Sequence, residues 1–90
     1  MTQQKKRPSP AARLFGTQSR MMRERLGWTM KDLEARIPYS ESMIAKVERG
    51  ERLPKPSYVI ATDEALMAQG LLVEAAKLLW QDGVPEWTQE

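Results

Sequence analysis

Residues 29–50 read TMKDLEARIPYSESMIAKVERG, and the fold turns on them. Thr29 is a residue type that starts helices, and Asp32 stands three positions on, as in a near capping box. The helix this opens is short. Leu33 and Ile37, four apart, form its buried pair, and Pro38 ends it, because the residue before a proline avoids helical dihedrals. Ser40 then caps a helix over about 41–49, with Ile44 and Val47 facing inward and Gly50 closing it.

The connection between these two short amphipathic helices spans only residues 38–40. A tight turn between two such helices is the helix-turn-helix plan. The flanks extend it. Ser9-Pro10 is a helix start, and a first helix is expected over 11–26. Phe15, Ser19, Met22 and Leu26 form one stripe of it, widened by Leu14 and Met21, and Gly27 stops it. Arg13, Arg20, Arg23 and Arg25 lie on its other faces. After Gly50, residues 51–56 (ERLPKP) form a loop stiffened by two prolines, with Leu53 expected as its anchor to the core.

A fourth helix is expected over 57–69, with Tyr58, Thr62, Ala65 and Leu66 on one face and Gly70 as its breaker. A fifth is expected over 71–81, with Leu71, Leu72, Ala75, Leu78 and Leu79 inward and Asp82-Gly83 as its stop. No stretch alternates as a strand would. The expected architecture is all-α: a compact five-helix domain over 11–82, preceded by a flexible basic arm over 1–10 and followed by a tail over 83–90.

Composition narrows the function. Ninety residues allow one domain. There is no Cys and no His, which removes disulfides, thiolate nucleophiles, histidine bases and the usual zinc ligands. No spacing proposes a metal site, a cofactor or a catalytic group, so the chain is not read as an enzyme. No secretory signal opens it, and its most apolar stretch, 66–80, is interrupted by Gln69, Glu74 and Lys77. No membrane is expected, and a cytoplasmic location near the nucleoid is. The formal net charge is only +2, but it is unevenly spread. Residues 1–56 hold 13 Lys and Arg against 6 acids, a net +7, whereas residues 57–90 hold 1 Lys against 6 acids, a net −5. A basic part beside an acidic remainder is a layout common among nucleic-acid binders, and an uneven solvated surface gives the same counts.

The run from Phe15 to Leu66, above all residues 29–50 with their exit Glu51-Arg52 and later Pro54, resembles the Cro/repressor-like (XRE) helix-turn-helix family, the lambda-repressor-like fold of four or five helices. A narrower likeness rests on Ile37-Pro38-Tyr39-Ser40, Ala45 to Gly50, Asp63 to Leu66, Leu79-Trp80 and Pro85-Glu86-Trp87. These are similar to the N-terminal domain of DUF5753-type regulators from sporulating mycelial bacteria, in which a longer C-terminal domain follows. The chain accordingly reads as the DNA-binding part alone. Four positions depart from the family pattern. Met30 stands where Gln is usual, Glu34 where a small Ala allows the two helices to approach, Ser19 where Leu is common, and Pro38 at the turn glycine. Glu34 is expected to snorkel outward or shift the packing.

The resemblance implies a sequence-specific regulator of transcription that binds double-stranded DNA with the helix over about 41–49 in the major groove. By position, Glu41, Ser42, Met43 and Lys46 face base edges. Lys46 suits guanine, Glu41 suits the cytosine amino group or a negative filter against phosphate approach, Ser42 serves either role, and Met43 suits a thymine methyl. Each has a plainer reading, Glu41 as helix-start charge and Lys46 as a solvated residue. Phosphate candidates are Thr29 and Ser40 with their helix-start amides, Lys31, Tyr39, Arg49, Arg52 and Lys55. For Arg49 the alternative is a salt bridge within the fold. Glu48 reads as structural, paired with Arg20 or Arg23. Lys5-Lys6-Arg7 either tracks DNA or makes no contact.

The fifth helix raises a rival. Val73, Ala76 and Trp80 lie off its inner stripe, so it is apolar nearly all round and needs cover on two sides. A second copy (a homodimer on a palindromic site), a small partner protein, an absent C-terminal domain, or the tail with Trp87 would supply it. On the rival reading the chain is a protein-interaction module with incidental DNA affinity.

Overall fold

The computed structural model describes residues 9–80. They form five helices in chain order: α1 over Pro10–Arg25, α2 over Met30–Glu34, α3 over Glu41–Glu48, α4 over Pro56–Ala65 and α5 over Leu71–Leu79. There is no strand among the described residues. The local start signals act as expected. Ser9 accepts from the Ala12 N–H at 3.0 Å with Pro10 in the first turn. Thr29 and Asp32 complete a reciprocal capping box, and Ser40 accepts from the Met43 N–H at 3.1 Å.

One cluster holds the fold. Phe15 of α1, Leu33 and Ile37 around α2, Ile44 and Val47 of α3, Tyr58, Val59 and Leu66 around α4, and Leu72 and Ala76 of α5 are buried together. Helix α1 packs on α3 and α5, α2 on α3, and α4 on α5. The α1–α3 approach depends on Gly16, where a Cβ would overlap the carbonyl oxygens of Val47 and Glu48. Gly50 ends the α3 exit at φ +77°, and a Cβ there would meet the Arg13 side chain.

Several expected placements are corrected. Leu14 and Met21 do not widen the inner stripe of α1; they are 54% and 55% exposed. Leu53 is exposed, and Pro54 is the buried residue of the loop. Helix α2 ends before Pro38, at Glu34. Helix α4 ends at Ala65, not at Gly70, because Met67 (φ 57°) and Gln69 (φ 56°) enter the left-handed region first. On α5, Leu71 and Leu78 face outward, and Leu72 and Ala76 hold the core. Ala75 and Leu79 of the expected stripe pack against that core, whereas Leu71 and Leu78 leave it, because an almost wholly apolar helix carries little pattern to orient it.

Two buried charged groups join these elements. Arg23, among four arginines of α1, is the one turned inward. It donates from Nε and Nη2 to both carboxylate oxygens of Glu48, at 2.7 and 2.9 Å, and from Nη1 to the Trp28 carbonyl at 2.7 Å. Its guanidinium is held above its ordinary value chiefly by the Glu48 hydrogen bond. Asp63 of α4 accepts from the N–H groups of Gly70 (2.9 Å), Leu72 (2.9 Å) and Val73 (3.3 Å). It thus caps α5, whose own cap residue, Gly70, has no side chain to do so.

Candidate nucleic-acid interface

Helix α3 turns Ile44, Val47 and Glu48 inward. By the helical period this turns Ser42, Lys46 and Arg49 outward, at i, i+4 and i+7, and all three are exposed. Glu41 is half-buried at the head of the helix. Met43 is half-buried as well. It packs on the core and lines a small cavity with Tyr39, Leu53, Pro54 and Tyr58, to one side of the Ser42–Lys46 line.

The phosphate candidates border this stripe at both ends. Thr29, Lys31, Ser40, Arg49, Arg52 and Lys55 are exposed and Tyr39 is half-buried. Some are already engaged. The Thr29 N–H donates to Asp32 at 2.8 Å and its hydroxyl accepts from the Asp32 N–H at 3.1 Å. The bond from the Thr29 N–H first, and the Thr29 hydroxyl beside the carboxylate second, hold the Asp32 carboxyl below its ordinary value. Lys31 lies 3.5 Å from the Glu41 carboxylate. Arg49 donates twice to Glu51, each at 3.0 Å, which lowers the Glu51 carboxyl and raises the Arg49 guanidinium. Lys46, Arg52 and Lys55 have no ion-pair partner among the described residues.

Around the α3 exit, Arg52 and Lys55 line the same cavity as Tyr39 and Tyr58. The Tyr39 hydroxyl is hydrogen-bonded to Ser57 Oγ at 2.7 Å, and its ring meets Tyr58 edge-on at 5.0 Å. Burial pushes the Tyr58 hydroxyl well above its ordinary value, so it stays neutral. Ser57 stands at the start of α4, which has no side-chain cap of its own. Sequence reasoning passed over Ser57 because nothing local marks its bond to Tyr39 across 18 residues. It also passed over Arg13, which lies against Gly50 at the α3 exit, and Arg36, stacked on the Trp28 ring at 4.1 Å.

Glu34 resolves its departure from the family pattern in an unexpected way. Half-buried at the end of α2, its carboxylate accepts from the Glu41 N–H at 3.0 Å, bridging the turn. A carboxylate therefore stands at the head of α3, and two of its first amides are engaged within the fold: Glu41 donates to Glu34 and Met43 to Ser40.

The proposed α5 interface is also redrawn. Ala76 is fully buried, so it belongs to the core and cannot meet a partner. Val73 and Trp80 are half-buried and pack against the core. Trp87 lies outside the described residues. The outward apolar side is a groove between α1 and α5, lined by Pro10, Ala11, Leu14, Gln18, Ala75 and Leu78.

No described helix is long and apolar enough to cross a membrane. No curated protein and no solved structure matches the chain. The model of a helix-turn-helix domain family matches residues 14–76, the span from the middle of α1 through most of α5. The two short helices, the tight turn and the exposed outer side of α3 are that domain's parts, and the chain belongs to this helix-turn-helix family.

Proposed function

We propose that the chain is the DNA-binding domain of a sequence-specific transcriptional regulator of the Cro/repressor-like kind, with α3 in the major groove. The observation that carries this reading is the exposed Ser42–Lys46 stripe, in which Lys46, like the neighbouring Arg52 and Lys55, forms no ion pair among the described residues. Ser42, Lys46 and Glu41 are the base-reading residues, with Met43 at the margin. Arg52, Lys55, Tyr39 and Ser57 follow one phosphate track, and Lys31 with Thr29 begins the other. Arg49 joins only by leaving Glu51. The reading includes no catalytic step and no cofactor. The narrower likeness to DUF5753-type regulators supports a role beside a C-terminal domain or a small partner protein, at the nucleoid. Binding to a random-sequence duplex pool across a salt series tests it. Affinity is expected to fall linearly in log–log form as salt rises, with a subset of sequences enriched. Absence of binding at low salt, or binding indifferent to salt, would falsify it.

A second reading rests on the groove between α1 and α5. Leu14 and Leu78 are each 54% exposed on its rim. A second copy of the chain seated there would form a homodimer for a two-fold DNA site. Sedimentation of the intact chain and of Leu14→Asp tests it: a dimer lost on substitution supports it, and a monomer at all concentrations rejects it.

A further inference from the structure

The head of α3 carries an arrangement that its capping role alone does not require. Ser40 already serves as the side-chain cap, accepting from Met43. Glu34 adds a second acceptor from the preceding helix, on the Glu41 N–H at 3.0 Å. Glu34 is the last residue of α2, where a negative charge is disfavoured by the helix dipole; at the start of α3 the same charge is favoured. The contact therefore makes sense only across the turn. The Glu41 side chain is restrained in its turn by Lys31, whose Nζ lies 3.5 Å from its Oε1. Backbone and side chain of Glu41 are thus both held by α2, and two carboxylates stand together at the tip.

Resting on the DNA-binding reading, we infer that Glu34 is a positioning residue for Glu41, and that the tip selects the orientation of one base pair, that is, the strand from which its exocyclic amino group is offered. Two carboxylates repel phosphate oxygens, so this end of α3 cannot rest on the backbone. In the groove they can only accept. Carbonyl-rich edges such as guanine O6 and N7 are refused, whereas cytosine N4 and adenine N6 offer donors. Glu34 is engaged on the Glu41 N–H, so Glu41 makes the contact. Glu34 fixes the first turn of α3 relative to α2, and so the direction from which Glu41 approaches. Lys31, on the same helix as Glu34, holds the Glu41 side chain at 3.5 Å.

Selection of bound sequences from a random duplex pool, with the full chain, tests this. The wild-type chain is expected to prefer one orientation of a base pair at a single position, and Glu41→Ala to lose that preference about tenfold or more there alone. Glu34→Asp retains the charge but withdraws the carboxylate by one methylene; it is expected to lose the preference at the same position. Glu34→Gln retains an acceptor at the original reach and is expected to rescue it. Thermal melts of each variant verify that it is folded; Glu34→Ser, which also lacks the reach, carries the same expectation as Glu34→Asp and stands in for it if that variant does not fold. Retention of the preference by Glu34→Asp, failure of Glu34→Gln to rescue it, or a Glu41→Ala variant that keeps every orientation preference of the wild type overturns the inference while leaving DNA binding intact. A wild-type chain that binds no duplex overturns the DNA reading itself, and this inference with it.

Discussion

Arg23 and Glu48 meet through two parallel hydrogen bonds, 2.7 and 2.9 Å long, with both residues only 6% exposed. The pair ties α1 to the last turn of α3. Its third bond, to the Trp28 carbonyl, also fastens the segment that leads into α2. The outer side of α3 is thereby fixed from behind, by a contact that none of its exposed residues shares.

Breaking this pair from one side leaves a buried charge without its partner. Glu48→Ala and Arg23→Ala are each expected to destabilise the fold by about 3–5 kcal/mol. The double variant Arg23→Met with Glu48→Leu is expected to be considerably more stable than either. Urea denaturation of the three variants checks this; single variants within about 1 kcal/mol of wild type would show that the pair is dispensable.

The Asp63 cap makes a separate prediction. Its carboxylate holds three amides at the start of α5, and Asp63→Ala removes all three acceptors at once. A loss of about 1–3 kcal/mol is expected. Amide exchange in α5 should rise before that in α1 and α3, and a uniform rise over all helices would count against a local capping role.

For the proposed DNA contacts, Lys46→Ala is expected to relax preference at one base pair, by about 1–3 kcal/mol of discrimination. Arg52→Ala is expected to weaken all sequences alike and to lessen the salt slope by about one. Titration of each variant against a selected and an unrelated duplex distinguishes them. The assignment fails if Lys46→Ala behaves like Arg52→Ala.

Acid should open the start of α2. Asp32 has its carboxyl lowered by the bond from the Thr29 N–H. A group lowered on folding stabilises above its unfolded value, and that contribution disappears as pH falls through the folded value. The loss is therefore expected below about pH 4. Asp32→Asn should flatten this part of the acid-unfolding curve, followed by tryptophan fluorescence. An unchanged slope would remove the capping box from the acid response.

Much of this protein is written locally. Ser9, Thr29 and Ser40 announce three helix starts, and the spacing of Phe15, Leu33, Ile37, Ile44 and Val47 points their inner faces correctly. Those signals suffice because a cap or an apolar period acts within one or two turns of chain. The outward face of α3 follows from the same period, so Ser42 and Lys46 were legible as surface residues. What only the tertiary structure decided lies between distant residues. Which of four arginines turns inward depends on Glu48, 25 residues away. The start of α5 depends on Asp63, and the head of α3 on Glu34 across the turn. The side of α5 that enters the core was decided by its neighbours too, since Leu71, Leu72, Leu78 and Leu79 are equally ready to be buried and only packing against α1 and α4 distinguishes them.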